Sequence, residues 1–240
     1  MIKVALGIPT CGPPTWGLLD SIWSLFANVH DIGLTMIRPP RSLPIEMARR
    51  YIAHHFMETD ADYLWFVDQD CFFDWHTLER LLAWNVPIVG ALCMIRGQGA
   101  AIPMVFSGHG EGDKHKIQAP DVYQFVTEHY DCESNKPQVV EPVTDGSLYE
   151  VDFTGCHCLL VKREVFDNMP KPWFADIPGR EDRFFMLRAR EKCGYQSYVD
   201  FSTFVGHGGG AERGIGALDF VAHYRFANEM EAARQNGKKD

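Results

Sequence analysis

Short, unbroken apolar runs alternate along this chain with stretches in which apolar residues return every three or four positions. The first pattern marks strands buried on both faces, and the second marks amphipathic helices. Val4–Ile8 reads as a strand, halted by Pro9, Thr10, Cys11, Gly12, Pro13 and Pro14, a density of proline and glycine that forces an open loop. A helix is predicted over Trp16–Phe26, with Leu18, Leu19, Ile22, Trp23 and Phe26 as its apolar face. A strand over Gly33–Arg38 and a turn over Arg38–Arg41 lead to a second helix, where Ile45, Ala48, Ile52, His55 and Phe56 keep helical spacing. Tyr63–Val67 is a further apolar strand, the helix Trp75–Trp84 turns Leu78, Leu81 and Leu82 inward, and Val86–Leu92 gives the next strand. This order of elements predicts an α/β fold, an open and mostly parallel sheet flanked by helices, with ligand loops along one edge.

After the fourth core strand the pattern loosens. Residues 96–150 read as an insertion holding short strands near Val122–Val126 and Leu148–Val151. Val151–Lys162 resumes the core, followed by a short helix over Arg163–Met169 and a helix opened by Arg180, Glu181 and Asp182. Tyr195–Phe201 is the final strand. It runs into the glycine-rich stretch Val205–Gly210, whose amides could approach phosphate oxygens, and a helix over Leu218–Arg234 closes the chain. The whole 1–240 stretch reads as one domain, with residues 1–95 and 151–240 as its two working halves.

Composition narrows the function. A formal charge of -9 argues against a broad nucleic-acid face, leaving only a local basic track through Arg96, Lys114, Lys116 and Arg163. Seven cysteines without a CxxC pair predict reduced thiols, with Cys156 and Cys158 a poor chelating pair. No run approaches the roughly 20 apolar residues of a membrane span, and the first residues lack a signal-peptide pattern, so a cytoplasmic protein is expected.

The candidate chemistry begins where Tyr63–Val67 ends, at Asp68-Gln69-Asp70. Two carboxylates at the carboxyl end of a buried strand can hold a hard cation against a phosphate. An acidic turn that merely closes a strand is the plain alternative. Arg49 and Arg50 lie near a helix start and oppose its dipole, so they either stretch into solvent or meet a compensating partner, a nucleotide diphosphate or a carboxylate. Thr154-Gly155 sits where a strand lets a ligand or another backbone come close.

Four features then stand in order: Asp68-Gln69-Asp70, Phe153-Thr154-Gly155-Cys156, Arg180-Glu181-Asp182 and His207. Together they resemble the DXD motif, the acceptor-side glycine loop, the xED motif and the C-terminal metal histidine of GT-A glycosyltransferases, whose fold is Rossmann-like. The run from Val151 through Trp173 also resembles compact glycosyltransferase-like proteins of bacteriophages. The resemblance implies a nucleotide-sugar-binding half over 1–95 and an acceptor and metal-histidine half over 151–240. It implies Asp70, His207 and Asp68 as ligands of Mn²⁺ or Mg²⁺, and Asp182 as general base with Glu181 assisting. Pro9, Thr10, Arg49, Asp68 and Gln69 would line the donor, probed as a UDP-sugar, and Thr154, Gly155 and Trp173 would face the acceptor. Cys156-His157-Cys158 departs from the pattern by placing bulkier residues after the glycine.

The implied reaction moves a sugar from a nucleoside diphosphate to an acceptor hydroxyl with inversion. The acceptor would be a glycan, a modified DNA base or a protein. Two other readings share these acids: a nucleotidyltransferase that makes the activated sugar, and a binding module that keeps the fold without turnover. Cys11–Thr15 carries no basic residue, whereas a nucleotidyltransferase would usually carry one in its first loop.

Overall fold

A computed structural model describes residues 1–9, 12–97, 100–109, 115–117, 122–125, 147–175 and 180–208. Thr10, Lys114, the glycines after 208 and the helix expected over 218–234 lie outside the described residues. In chain order the elements are β1 (Ile2–Gly7), α1 (Trp16–Asn28), β2 (Ile32–Ile37), α2 (Ile45–Glu58), β3 (Tyr63–Val67), β4 (Cys71–Phe72) and α3 (Thr77–Ala83). Then come β5 (Ile88–Gly97), β6 (Ala100–Pro103), β7 (Val105–His109), β8 (His115–Ile117), β9 (Leu148–Val151) and β10 (Phe153–Thr154). The series ends with β11 (Cys158–Lys162), α4 (Arg163–Asn168), α5 (Glu181–Cys193) and β12 (Ser197–His207).

The central sheet runs β2-β1-β3-β11-β5-β12-β4. β2, β1, β3, β5 and β12 share one direction, while β11 is antiparallel to both of its neighbours. The mixed α/β architecture with a mostly parallel core follows the alternation of the sequence. Side chains of successive strand residues enter opposite layers. Val4, Leu6, Trp65 and Val67 pack with Leu18 and Leu25 of α1 and Leu78 and Leu81 of α3. Ala5, Leu64 and Phe66 pack with Ile52 and Phe56 of α2, Phe166 of α4 and Phe185 of α5. Burying each such large side chain contributes about 1.5–3 kcal/mol, which is why both faces must be covered. Cys156 and Cys158 fall in opposite layers because Cys156 precedes β11 rather than belonging to it, whereas two residues apart within one strand would share a face, and the five described cysteines are free thiols.

Four sequence expectations are corrected. In α1 the inward residues are Leu18, Ser21 and Leu25, whereas Trp16 (81 %), Leu19 (42 %), Trp23 (81 %) and Phe26 (47 %) are exposed. Apolar residues surround this helix, so spacing alone did not choose a face. Ser21 chooses it, because its hydroxyl donates to the Gly17 carbonyl and accepts from the Phe73 amide at 2.8 Å, drawing that side onto the sheet. Residues 122–125 form a helical turn rather than a strand, with Val122 and Phe125 buried under Phe201 and Leu92.

Val151–Lys162, read as resuming the core, does so only in its last part. β9 pairs with β12, β10 joins a small sheet with β7 and β8, and only β11 enters the core beside β3. Finally, Arg163 belongs to no basic track. Its guanidinium donates to the carbonyls of Phe56, Thr59 and Ala61 and lies 4.4 Å from the Phe56 ring centroid, closing the C-terminus of α2. Among the described residues, no helix is long and apolar enough to cross a membrane.

Candidate active site

Strand direction gathers the site at one edge. β3 ends at Val67, and a tight turn follows in which the Cys71 amide donates to the Asp68 carbonyl at 3.1 Å. Because β11 is antiparallel to β3, its first residue, Cys158, lies opposite Val67, and the Asp68 amide donates to the His157 carbonyl at 2.9 Å. β12 arrives from the other side, where His207 pairs with Cys71 and the Gly208 amide donates to the Asp70 carbonyl at 2.8 Å. Two strand ends and one strand start thus place Asp68, Asp70, His157 and His207 side by side.

β12 is longer than the sequence predicts and carries Val205, Gly206 and His207 within the strand, so these three form no phosphate-cradling loop. The glycine at 206 serves packing, since a Cβ there would fall 1.9 Å from the Phe72 ring.

His207 Nε2 lies 3.3 Å from Asp70 Oδ1, and the His157 and His207 rings are 4.7 Å apart in an edge-to-face arrangement. Burial opposes the Asp70 charge, but the hydrogen bond and charge of His207 outweigh it and hold this carboxyl below its usual range. Burial likewise opposes the His207 proton, and the Asp70 hydrogen bond overrides it and raises the imidazole. His157 goes the other way. Burial pushes it down to about 4 against the attraction of Asp68, leaving a neutral ring at pH 7.

This donor set fits a divalent ion. One donor atom each of Asp68, His157 and His207 lies within 4.8 Å of the others, as do donors of Asp70, Cys71 and His207. Asp68 Oδ1 and His157 Nδ1 are buried without a hydrogen bond, a state a bound cation would relieve. Cys71 is the poorer donor, because burial pushes its thiol well up and a metal takes the thiolate.

Behind this cluster lies Arg49 of α2, 2 % exposed. Its Nη2 lies 3.2 Å from Asp68 Oδ1 and donates to Oδ2 at 3.3 Å, its Nε donates to Glu181 Oε1 at 3.3 Å, and its Nη1 donates to the Cys156 carbonyl at 3.2 Å. Arg49 thus does not stretch into solvent, and its partners here are carboxylates. Burial works against the guanidinium charge, yet Asp68, the Cys156 thiol, Glu181 and Asp182 together raise its pKa. Arg49 therefore stays cationic and ties the end of β3 to the start of α5.

Glu181 and Asp182 occupy the first turn of α5, where the helix dipole favours acids. Glu181 is 4 % exposed, with one oxygen on Arg49 and the other without a hydrogen bond. The Asp182 Oδ1 accepts from the Arg183 amide at 2.6 Å. Burial raises the Asp182 carboxyl to about 6, with Arg49 pulling down and Glu181 pushing up. A carboxylate poised near neutrality is suited to accepting a proton.

The remaining sequence candidates divide. Gln69 lies between the two aspartates and holds the first loop, its side-chain oxygen accepting from the Gly12 amide at 3.0 Å and its carbonyl from the Thr15 amide at 3.0 Å. Pro9 is buried at the end of β1, and Thr10 lies outside the described residues. Thr154 is buried with its hydroxyl donated to the Met104 carbonyl. Trp173 is 3 % exposed with its indole N–H donated to the Phe166 and Met169 carbonyls. Neither reaches the cluster of acids and histidines. Gly155 does border it, and what comes close to it is the His157 ring. His157 is the residue that sequence reasoning missed. Its signal, a histidine just before a strand, gains meaning only once β11 is paired antiparallel with β3.

No family profile matches the sequence, and neither does any curated protein. Solved structures do share the fold. A197 from STIV superposes with a TM-score of 0.54 at 20% identity, covering 86% of this chain and 85% of that one. GalNAc-T7 with UDP, GalNAc and Mn²⁺ superposes with a TM-score of 0.55 at 13% identity, covering 86% of this chain, which spans 44% of the larger structure. The fold is of the GT-A glycosyltransferase class.

Proposed function

We propose that the chain is a metal-dependent glycosyltransferase that moves a sugar from a nucleoside diphosphate, UDP in the first instance, to an acceptor hydroxyl. The observation that carries this reading is the pairing of two cation-ready groups that share His207, one through Asp68 and one through Asp70, with a carboxyl raised to about 6, Asp182, through the buried cation Arg49. Superposition on a structure with UDP, GalNAc and Mn²⁺ supports it at the level of fold.

Asp70, His207 and Asp68 would hold Mn²⁺ or Mg²⁺. When bound, such an ion supplies positive charge to the diphosphate as it departs. Asp182 takes the proton from the acceptor hydroxyl as that oxygen bonds the anomeric carbon and the bond to the diphosphate breaks. Attack opposite the leaving group inverts the anomeric centre. Arg49 keeps Glu181 and Asp68 in register and makes its charge felt at Asp182, so that the base is ionised at physiological pH. Residues 1–95 serve the donor and residues 151–240 the acceptor.

The outer face of α5 favours an anionic acceptor, such as a phosphate-bearing glycan or nucleic acid. Among the described residues, Arg180, Arg183, Arg188 and Lys192 line an open groove there against the acid Glu191.

The test is a panel of nucleotide sugars with Mn²⁺, read by mass spectrometry for donor hydrolysis or transfer and by thermal shift for binding. Metal-dependent binding and turnover of one donor is the expected result. Absence of any response, with or without metal, would sink the reading.

A further inference from the structure

The turn before β11 carries a side chain that the mechanism above leaves without a task. His157 is anchored to the same strand end as Asp68, because its carbonyl accepts the Asp68 amide at 2.9 Å. Its ring stands 4.7 Å from that of His207, and one donor atom of each lies within 4.8 Å of an Asp68 oxygen. Its Nδ1 is buried without a hydrogen bond, and so is Asp68 Oδ1. Leaving the imidazole nitrogen unsatisfied is costly, since a buried polar atom without a partner forfeits about 1–3 kcal/mol, while Asp68 Oδ1 is met by the Arg49 charge at 3.2 Å alone.

The backbone makes room for this ring. A Cβ on Gly155 would fall 2.1 Å from His157 Nδ1 and 2.5 Å from its Cε1, so any larger residue at 155 displaces it.

We propose that His157 is a further protein ligand of the divalent cation, and that Asp68, His157 and His207 beside Asp70 select a nitrogen-accepting ion such as Mn²⁺ or Co²⁺ over Mg²⁺. The proposal rests on the metal-dependent reading of the same site. Its chemistry follows from the donor types. Mg²⁺ demands oxygen ligands in a near-ideal octahedron and gives up water reluctantly. Imidazole suits the later first-row ions, and affinity for a site bearing nitrogen donors rises from Mn²⁺ to Co²⁺. A site with two histidines therefore sacrifices Mg²⁺ affinity and gains discrimination. The glycine that the sequence assigned to the acceptor instead holds open the space for a ligand.

The experiment uses the full chain without nucleotide. Pulsed electron paramagnetic resonance of the Mn²⁺-loaded wild type counts coupled imidazole nitrogens, with two expected. A single coupled imidazole overturns the proposal without reliance on any variant. Calorimetric titration of Co²⁺, Mn²⁺ and Mg²⁺ then compares wild type, His157→Gln, Gly155→Ala and Asp70→Ala. Loss of an outer-shell partner already costs about 10–100-fold in affinity, so His157→Gln is expected to weaken Co²⁺ and Mn²⁺ by at least about tenfold. Mg²⁺ should change by less than about twofold, because imidazole adds little to its binding. Gly155→Ala should shift the same ions in the same direction while keeping the histidine.

Equal Mn²⁺ affinity in wild type and His157→Gln, with binding abolished in Asp70→Ala, rejects the role of His157 and leaves the metal-dependent reading intact. Failure of the wild type to bind any divalent ion rejects both.

Discussion

Asp70 and Asp182 are the same side chain in one site, yet the fold displaces them in opposite directions. Asp70 follows the end of β3 with His207 at 3.3 Å, and its carboxyl is held below the usual range in spite of burial. Asp182 sits in the first turn of α5, where burial dominates and raises it to about 6 even with Arg49 nearby. The difference lies in the partner's reach. His207 bonds Asp70 directly, whereas Arg49 spends its hydrogen bonds on Asp68, Glu181 and Cys156 and acts on Asp182 through space alone. One acid is thereby kept anionic, as the proposed cation site requires, and the other is held near neutrality, as the proposed base requires.

Removing the anionic member should have the largest effect. Asp70→Ala is expected to lower turnover by about 10³-fold or more, the several kcal/mol that a Lewis-acid ion supplies. Metal-dependent donor binding should vanish with it in calorimetry. Asp182→Asn should lower kcat by about 10²–10⁴-fold, the range for a lost general base, with donor affinity unchanged. Wild-type transfer by this variant would refute the base assignment.

Arg49→Met separates the two halves. It leaves Asp68 and Glu181 buried without their counter-charge, at a cost of about 3–5 kcal/mol in urea unfolding, and adding Glu181→Gln should recover part of it. No recovery would mean that the ion pair does not hold β3 and α5 together.

The smallest effect comes from pH. Activity should fall about tenfold per unit below the Asp182 pKa of about 6 and level off above it. Stability moves the other way. A carboxyl raised on folding is held protonated more readily in the folded chain, so its contribution is complete below the ordinary aspartate pKa of about 3.9 and is lost as pH rises through about 6. Asp182→Asn should therefore melt higher than wild type at pH 8, with the gap closing towards pH 4. A constant gap would show that Asp182 is not the titrating group.

Much of the architecture was legible because strands buried on both faces and amphipathic helices write different periods. Tyr63–Val67 and Leu148–Val151 occur as strands over the ranges read from the sequence. The face of α1 was not legible, since apolar residues surround that helix and the deciding contact, Ser21 to Phe73, is 52 residues away in sequence. The acids of the site announced themselves by residue type after β3 and at the start of α5, and His207 was read after the last strand although it lies within β12. Their connection did not, because Arg49 and Glu181 are 132 residues apart.

What the sequence by itself determined is local: which segments bury both faces, and which acids follow a buried strand or open a helix. Only the tertiary structure decided that β11 runs against β3. That pairing brings His157 to the edge where Asp68 and His207 lie, and the burial around α5 raises Asp182 while His207 lowers Asp70. The physical reason is that periodicity depends on neighbours along the chain, whereas the charge of a carboxyl and the grouping of ligands depend on neighbours in space.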